Sequence, residues 1–182
     1  MNIILRIIAF SIVLALPLSC THRSRKNNRD LQKQTSNIYD SSKYDYSVKV
    51  TRILDGDTFE AISLCDKIEL VYRIYAIDAP EEKQPYGAES EQFLSELIND
   101  KTVHIKIQKK RDGYGRPVVW VYTQDGRDIS AEMLKAGMAW HFKKYDTSKE
   151  YEDLEKTAKK KRIGLWKDEE SIVPSSYRKN KK

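Results

Sequence analysis

Apolar residues along the middle of the chain recur at every second position, which predicts a series of short β-strands. The clearest run is 68–77, where alternate apolar residues from Ile68 to Ile74 fall on one face. The predicted strands cover residues 47–54, 58–64, 68–77, 103–108 and 117–122. In the fourth strand His104 follows the apolar Val103, so this histidine should point away from the core.

Three helices are predicted, mostly in the second half of the chain. The first covers 89–98, where one apolar stripe is formed by Phe93, Leu94, Leu97 and Ile98. The second begins at Ser130, a favourable N-cap residue, and ends at Gly137. The third covers 148–163 and ends at Gly164. Because few helices separate the five strands, we expect an α+β fold that is mainly β: a small closed or partly closed barrel with three helices packed outside.

The two ends of the chain differ from this middle region. Residues 1–19 contain one charged side chain and a short apolar stretch, which is typical of a secretory signal peptide. The stretch ending at Cys20 is also similar to a bacterial lipoprotein signal, in which that cysteine is lipidated. Residues 20–45 are polar and predict a flexible tether, and 167–182 form a basic tail. We therefore expect an exported chain, either anchored to a membrane through Cys20 or secreted or periplasmic.

Composition narrows the classes of function. The chain has 182 residues, with 33 Lys and Arg against 27 Asp and Glu, and a formal net charge of +6. This basic balance makes an anionic partner a reasonable expectation. Hydrophobic residues make up 40% of the chain, which is enough for one buried core and excludes wholesale disorder. Two cysteines exclude a disulfide framework and a cysteine-based zinc site.

Candidate chemistry is concentrated around three turns. Residues 55–58 read Asp-Gly-Asp-Thr, and the third strand leads from Arg73 into residues 78–81, which read Asp-Ala-Pro-Glu. The third turn, residues 111–117, contains Tyr114 between two glycines, followed by Arg116. Each motif alone also has a purely structural interpretation. Residues 55–58 could be a hairpin turn, residues 73–81 a surface ion-pair cluster, and residues 111–117 a solvated turn.

In this order and at this spacing, the motifs together resemble the staphylococcal nuclease (thermonuclease) family. The matching residues are Asp57, Thr58, Arg73, Asp78, Ala79, Pro80, Glu81, Tyr114, Gly115 and Arg116, followed by the segments 137–140 and 162–166. The resemblance covers about 46–166 and implies an exported bacterial homologue. It also implies a five-stranded oligonucleotide-binding (OB) barrel with three helices, which agrees with the pattern of strands and helices.

The resemblance implies a calcium-dependent enzyme. It assigns Ca²⁺ to the carboxylates of Asp57 and Asp78 and to the backbone carbonyl of Ala79, where the family usually has threonine. Hard cations prefer oxygen ligands, and a divalent cation offsets the repulsion between a phosphate and an attacking hydroxide. The change to alanine keeps the carbonyl and removes a hydroxyl, so we expect retained activity.

The resemblance also assigns the reacting groups. Glu81 matches the residue assigned as general base, and Arg73 and Arg116 match two arginines on the scissile phosphate. A guanidinium fork can bind two phosphate oxygens and stabilise charge that grows in the transition state. The implied reaction is endonucleolytic hydrolysis of DNA and RNA that leaves 3′-phosphate and 5′-hydroxyl ends.

Substrate binding should depend on stacking and charge, with little sequence specificity. Tyr114 matches a family tyrosine near the terminal phosphate and base, and Trp140 and Tyr145 fall near aromatic residues beside the family's cleft. Stacking of one base on an aromatic ring contributes roughly 1–3 kcal/mol and tolerates any base. For Trp140 the sequence leaves two interpretations open, a stacking residue and a core residue.

Two other functions remain as alternatives. One is a non-catalytic OB-fold surface lipoprotein that binds nucleic acid, and the other is a surface lipoprotein that binds a host or envelope partner. The intact set of acidic residues and arginines argues against both, because a binding protein has no need of it. We expect the chain to be a monomer.

Overall fold

The computed structural model describes residues 43–168 and 171–180, and within them the chain forms a closed five-stranded barrel. The barrel strands are β1 (Tyr46–Asp55), β2 (Thr58–Ser63), β3 (Glu69–Ile74), β5 (Thr102–Lys109) and β6 (Val118–Tyr122), and a separate small sheet pairs β4 (Ile77–Asp78) with β7 (Trp140–His141). Around the barrel the order is β1-β2-β3-β6-β5, and β5 closes onto β1. All neighbours are antiparallel except β3 and β6, which run parallel. The predicted mainly β, five-stranded OB-type barrel is confirmed.

The barrel closes around apolar residues that alternate along its strands. Phe59 and Tyr72 are fully buried, and their rings stack with centroids 5.4 Å apart. The register of β1 against β2 shifts twice, between Val50 and Arg52 and again after Ile53. Such irregularities bend a strand and so help a small sheet to close. Other core residues are Val48, Ala61, Ile74, Val103, Ile105, Val119 and Val121.

The described part of the chain contains four α-helices and one short 3₁₀ helix. They are α1 (Gly87–Ile98), α2 (Ile129–Lys135), α3 (Lys149–Lys160) and α4 (Pro174–Asn180), with the 3₁₀ helix at Gly164–Lys167. The first three are the predicted helices, and α4 lies in the predicted basic tail. Helix α3 ends at Lys160 rather than at Ile163 as predicted, because Arg162 already has a left-handed φ of 52°. In these residues we find no helix with the length and apolarity needed to cross a membrane.

The start of α2 corrects one prediction. Its N-cap residue is Asp128, whose side chain accepts a hydrogen bond from the backbone amide of Ala131, and Ser130 lies inside the helix. The Ser130 hydroxyl is buried and donates to the backbone carbonyl of Tyr75 over 2.9 Å. Aspartate and serine are about equally favourable at an N-cap. Ser130 therefore joins α2 to the end of β3 instead of capping the helix.

The third predicted strand is broken in two, and the break carries the chain out of the barrel. Strand β3 ends at Ile74, and Ala76 has a left-handed φ of 67°. The chain then forms β4, which pairs with β7 and ends at Asp78. The residues at the break are all buried and apolar, so the hydrophobic pattern gave no sign of a turn. This turn sets the direction from which Asp78 approaches the barrel end.

The residues just before β1 belong to the barrel wall. The Tyr44 ring is buried and stacks on His104 with centroids 4.7 Å apart, and the backbone amide of Asp45 donates to the carbonyl of Ile105 over 2.8 Å. His104, predicted to point away from the core, is nevertheless buried, because Tyr44 covers it and Ser47 bonds its ring at 2.8 Å. The predicted signal segment 1–19, the lipidation residue Cys20 and most of the predicted tether lie outside the described residues.

Candidate active site

Asp57 lies in the tight turn between β1 and β2. Its backbone amide donates to Asp55 Oδ1 over 2.9 Å, which closes the turn. Gly56 is required by space, because a Cβ there would lie 1.9 Å from Ser90 Oγ in α1 and 2.7 Å from Ala79 Cβ. The turn therefore packs directly against α1 and the segment after β4. This packing holds the Asp57 carboxylate in place and leaves the residue only 6% exposed.

Arg73, near the end of β3, joins the two aspartates. Its Nη2 lies 2.8 Å from Asp57 Oδ2 and 3.3 Å from Asp78 Oδ1. The same guanidinium donates to the backbone carbonyls of Ile74 and Ile77, each over 2.9 Å. The backbone amide of Ala79 donates to Asp57 Oδ2 over 2.7 Å. The structure thus brings Asp57, Arg73, Asp78 and the backbone of Ala79 into one pocket.

Asp57 and Asp78 are two buried carboxylates that lie side by side, so the ionised form of each is disfavoured unless positive charge lies nearby. Burial raises the pKa of Asp57 to about 8; Arg73 opposes this shift, while nearby Asp55 adds to it. Burial also raises the pKa of Asp78, against the lowering effects of Arg178 and Arg73. Positive charge stabilises the ionised form of such groups. The pocket therefore favours cations.

Glu81 lies at the edge of the pocket and pairs with an arginine that the sequence did not indicate. Nη1 of Arg178 in α4 contacts Glu81 Oε1, and Nη2 of the same residue lies 3.4 Å from Asp78 Oδ2. The side chain of Glu81 is 38% exposed, so solvent reaches it. Sequence reasoning placed Arg178 in a basic tail, where no periodicity or motif separates it from the neighbouring Lys179.

Arg116 reaches the same pocket through Thr58. The carboxylate oxygen Oδ2 of Asp112 accepts from Nε and Nη2 of Arg116, each at 2.9 Å, which orients the guanidinium. Nη1 donates to Thr58 Oγ1 over 3.4 Å, and Thr58 Oγ1 donates to Asp57 Oδ1 over 3.0 Å. A chain of hydrogen bonds therefore links Arg116 to Asp57. The sequence analysis did not identify the role of Asp112, although its position four residues before Arg116 is compatible with an ion pair between the two.

The three predicted stacking residues differ in their accessibility. Tyr114 is 88% exposed, and the Arg116 guanidinium carbon lies 5.2 Å from its ring centroid. Tyr145 is 59% exposed, and its backbone carbonyl accepts from the Tyr75 hydroxyl over 2.5 Å. Trp140 is 7% exposed and packs edge-on against Trp166, with centroids 5.6 Å apart. A base cannot stack on a buried ring, so the core interpretation of Trp140 agrees with the structure and the stacking interpretation does not.

The donor set of the pocket fits a hard divalent cation. Asp57 and Asp78 converge on one atom, Nη2 of Arg73, and their oxygens are the ligand type that calcium takes. Within residues 43–168 and 171–180, no cluster of three or more His, Cys, Asp or Glu side chains has the geometry of a ready-made metal site. Glu81 is turned toward Arg178 instead. The pocket therefore offers two converging carboxylates and nearby backbone oxygens rather than a complete side-chain cage.

Fold and pocket together define a class: an OB-type barrel protein with a pocket of acidic residues and arginines suited to a phosphodiester. Comparison with known proteins is more specific. The family model described as staphylococcal nuclease homologue matches residues 71–168. The chain belongs to the staphylococcal nuclease family.

Individual relatives cover most of the chain. A protein of Haemophilus influenzae named "uncharacterized endonuclease" is 38% identical over 134 residues, which cover 74% of each chain. A protein of the same name from Escherichia coli O157:H7 is 36% identical over 133 residues, which cover 73% of this chain and 85% of its own. A Shigella flexneri protein named "micrococcal nuclease" is 34% identical over 148 residues, covering 76% of this chain and 83% of its own.

Proposed function

We propose that this chain is an exported, Ca²⁺-dependent endonuclease that hydrolyses DNA and RNA and leaves 3′-phosphate and 5′-hydroxyl ends. The observation that carries the proposal is the convergence of two buried carboxylates, Asp57 and Asp78, on one guanidinium nitrogen of Arg73. Membership of the staphylococcal nuclease family, with relatives named endonuclease and micrococcal nuclease, supports the same assignment.

Asp57, Asp78 and the backbone carbonyl of Ala79 would hold the calcium ion. When bound, the ion would polarise a phosphoryl oxygen and offset the charge repulsion between phosphate and attacking water. The protein prepares this position by burying both carboxylates and by orienting Asp57 with hydrogen bonds from Thr58 and the Ala79 amide. These contacts leave the Asp57 carboxylate little freedom to turn away.

Glu81 is the proposed general base. Its carboxylate is close enough to Asp78 for Arg178 to contact both, and it is open to water. It would take a proton from the attacking water as the water oxygen bonds to phosphorus. The bond between phosphorus and the 5′ oxygen would break, and the departing oxygen would take up a proton. The products are a 5′-hydroxyl and a 3′-phosphate.

Arg73 and Arg116 are the proposed phosphate-binding residues. The Asp112 carboxylate accepts hydrogen bonds from Nε and Nη2 of Arg116, while Nη1 of Arg116 points to Thr58 at the pocket. Arg73 is held by Asp57, Asp78 and two backbone carbonyls, so its positive charge is in place before substrate binds. Groups that are oriented in advance stabilise transition-state charge without having to reorganise.

Substrate choice is proposed to rest on the exposed rings of Tyr114 and Tyr145. Stacking tolerates any base, so little sequence specificity and use of both DNA and RNA follow. Tyr114→Ala should weaken binding of a single-stranded oligonucleotide by about 1–3 kcal/mol, measured by fluorescence anisotropy. The loss should be similar for oligonucleotides of different sequence. A loss confined to one sequence would contradict binding by stacking.

Export and lipid attachment are also proposals, supported by the apolar segment 1–19 and by Cys20. Cells expressing the full chain would be labelled with a radioactive fatty acid. The wild-type protein should carry label in the membrane fraction, and Cys20→Ser should carry none. Wild-type protein that stays unlabelled but reaches the medium or periplasm would favour free secretion. The chain is proposed to act as a monomer, which sedimentation analysis tests.

In-gel digestion of DNA by the full chain tests the main proposal. Clearing should require added Ca²⁺ and should disappear with a chelator. Clearing that persists undiminished under chelation would reject the metal requirement. No clearing in either condition, together with retarded migration of DNA by the protein, would favour the alternative of a non-catalytic nucleic-acid-binding lipoprotein.

A further inference from the structure

The C-terminal segment 171–180 brings a positive charge onto the proposed active-site carboxylates. Both terminal nitrogens of Arg178 are used, one on Glu81 and the other on Asp78. These are the proposed base and one of the two carboxylates proposed to bind the metal. While these contacts are made, Glu81 cannot accept a proton freely and one Asp78 oxygen is occupied. The Arg178 guanidinium therefore supplies positive charge that stabilises the ionised carboxylates of the pocket.

Two hydrogen bonds dock this segment on the loop that follows Glu81. The Tyr177 hydroxyl donates to the backbone carbonyl of Lys83 over 2.7 Å. The side-chain amide of Gln84 donates to the backbone carbonyl of Ile172 over 2.5 Å. Pro174 is buried at the start of α4. The position of Arg178 is thus set by specific anchors in the residues that precede it.

The docked segment is nevertheless held by little buried surface. The Arg178 side chain is 45% exposed, and Ile172 and Val173 are 48% and 42% exposed. A small cavity of about 90 Å³ remains beneath the segment, lined by residues that include Tyr86, Trp140 and Leu165. Segments with few buried apolar contacts open at low free-energy cost. This segment can therefore leave without disturbing the barrel.

We propose that segment 171–180 is a displaceable cover of the pocket, in which Arg178 competes with the divalent cation for Asp78 and blocks the proposed base Glu81. The inference rests on the proposed calcium-dependent function. Cation and guanidinium both draw on the Asp78 carboxylate, so binding of one favours release of the other. The apparent affinity for the cation is reduced by the fraction of molecules that are covered. Removing the cover should therefore tighten cation binding without any new ligand.

Calorimetric titration of the full chain with CaCl₂ tests the competition. Arg178→Ala should bind calcium about five- to tenfold more tightly than wild type, as expected for a pocket covered in most molecules. The matched control is Lys179→Ala, which removes the same charge from an exposed neighbour in α4. It should leave the affinity close to that of wild type. Tyr177→Phe, which removes an anchor and no charge, should tighten binding by a smaller factor.

Hydrogen–deuterium exchange separates displacement from a general effect of charge. Calcium should increase amide exchange in 174–180 of the wild-type chain, because α4 is released. A purely long-range charge effect would change affinity and leave this exchange unaltered. Equal calcium affinity in wild type, Arg178→Ala and Tyr177→Phe, or α4 exchange that calcium does not change, overturns the cover alone. Absence of calcium binding in wild type and Arg178→Ala overturns the proposed function and the cover with it.

Discussion

Arg73 Nη2 lies 2.8 Å from Asp57 Oδ2, and the register of the barrel explains why. In the antiparallel ladder of β2 and β3, Arg73 is the partner of Thr58, the residue that follows Asp57. The acidic turn and the arginine are therefore brought together by strand pairing. Asp78 joins them only because the chain turns between β3 and β4. The pocket thus depends on the backbone of the barrel end as much as on its side chains.

The first prediction concerns the stability of the calcium-free protein as a function of pH. Burial raises the pKa of Asp57 from its ordinary value of 3.8 to about 8. Between these values the folded protein keeps a proton that the unfolded chain has lost. The contribution of Asp57 to stability is therefore complete below about pH 4 and decreases as pH rises toward 8. Asp57→Asn, which cannot titrate, should reduce this dependence.

Urea denaturation in the presence of a chelator, at several pH values between 5 and 8, measures the effect. Asp153→Asn is a suitable control, because its carboxylate is exposed on α3 and pairs with Lys149. This control should follow the wild-type curve. A wild-type stability that rises over this pH range would mean that the Arg73 ion pair outweighs the burial of Asp57.

The second prediction concerns the general base. Glu81→Gln should lower kcat by about 10²- to 10⁴-fold, because an amide cannot take the proton from water. Binding of DNA should persist, since the arginines are untouched. Loss of turnover should occur even though this change also weakens the contact with Arg178. Steady-state assays and DNA-binding titrations check both points, with Glu82→Gln, at the exposed neighbouring position, as the control. Unchanged turnover in Glu81→Gln would assign the base to another group.

The third prediction concerns the shape of the phosphate-binding group. Arg116→Lys should lower the rate by about 10²- to 10³-fold, because lysine keeps the charge and loses the planar fork. Arg127→Lys makes the same change at an exposed arginine that pairs with Asp125. Activity close to wild type is expected for this second variant. If Arg116→Lys also kept nearly full activity, charge alone would suffice at this position.

The fourth prediction concerns the turn that carries Asp57. Gly56→Ala should destabilise the protein by about 1–3 kcal/mol and lower activity, because the new methyl group would collide with Ser90 and Ala79. Gly113→Ala is a matched control, since a Cβ at Gly113 meets nothing within 4 Å. Denaturation midpoints and activity are to be compared for the two variants. A Gly56→Ala protein with wild-type stability would show that the turn can move away from α1.

The strands, the first three helices and the main pocket residues could be predicted from the sequence. The strands follow because period-two patterns reflect a barrel that is buried on its inner face. The pocket residues follow because they occur in short motifs whose order matches a known family. Asp57, Arg73 and Asp78 accordingly meet in the structure, as expected.

The remaining features depend on contacts between distant parts of the chain, which local patterns do not record. The turn at Ala76 lies inside a continuous run of apolar residues, so the spacing of apolar residues predicts one long strand over 68–77. Trp140 is buried by Trp166, and Arg178 meets Glu81 across an interval of 97 residues. Aspartate and serine are about equally favourable at an N-cap, so residue type alone does not place the start of α2 at Asp128 rather than Ser130.

The stacking of Tyr44 on His104 has a practical consequence for making shorter versions of this protein. A recombinant fragment that begins at Tyr46, where the family resemblance begins, would lack Tyr44 and Asp45. The buried imidazole of His104 would lose the ring that covers it, and the amide of Ile107 would lose its hydrogen bond to the Asp45 carboxylate, 2.6 Å away. Such a fragment would expose the barrel wall between β1 and β5 to water and to neighbouring molecules. Expression should therefore start upstream of Lys43.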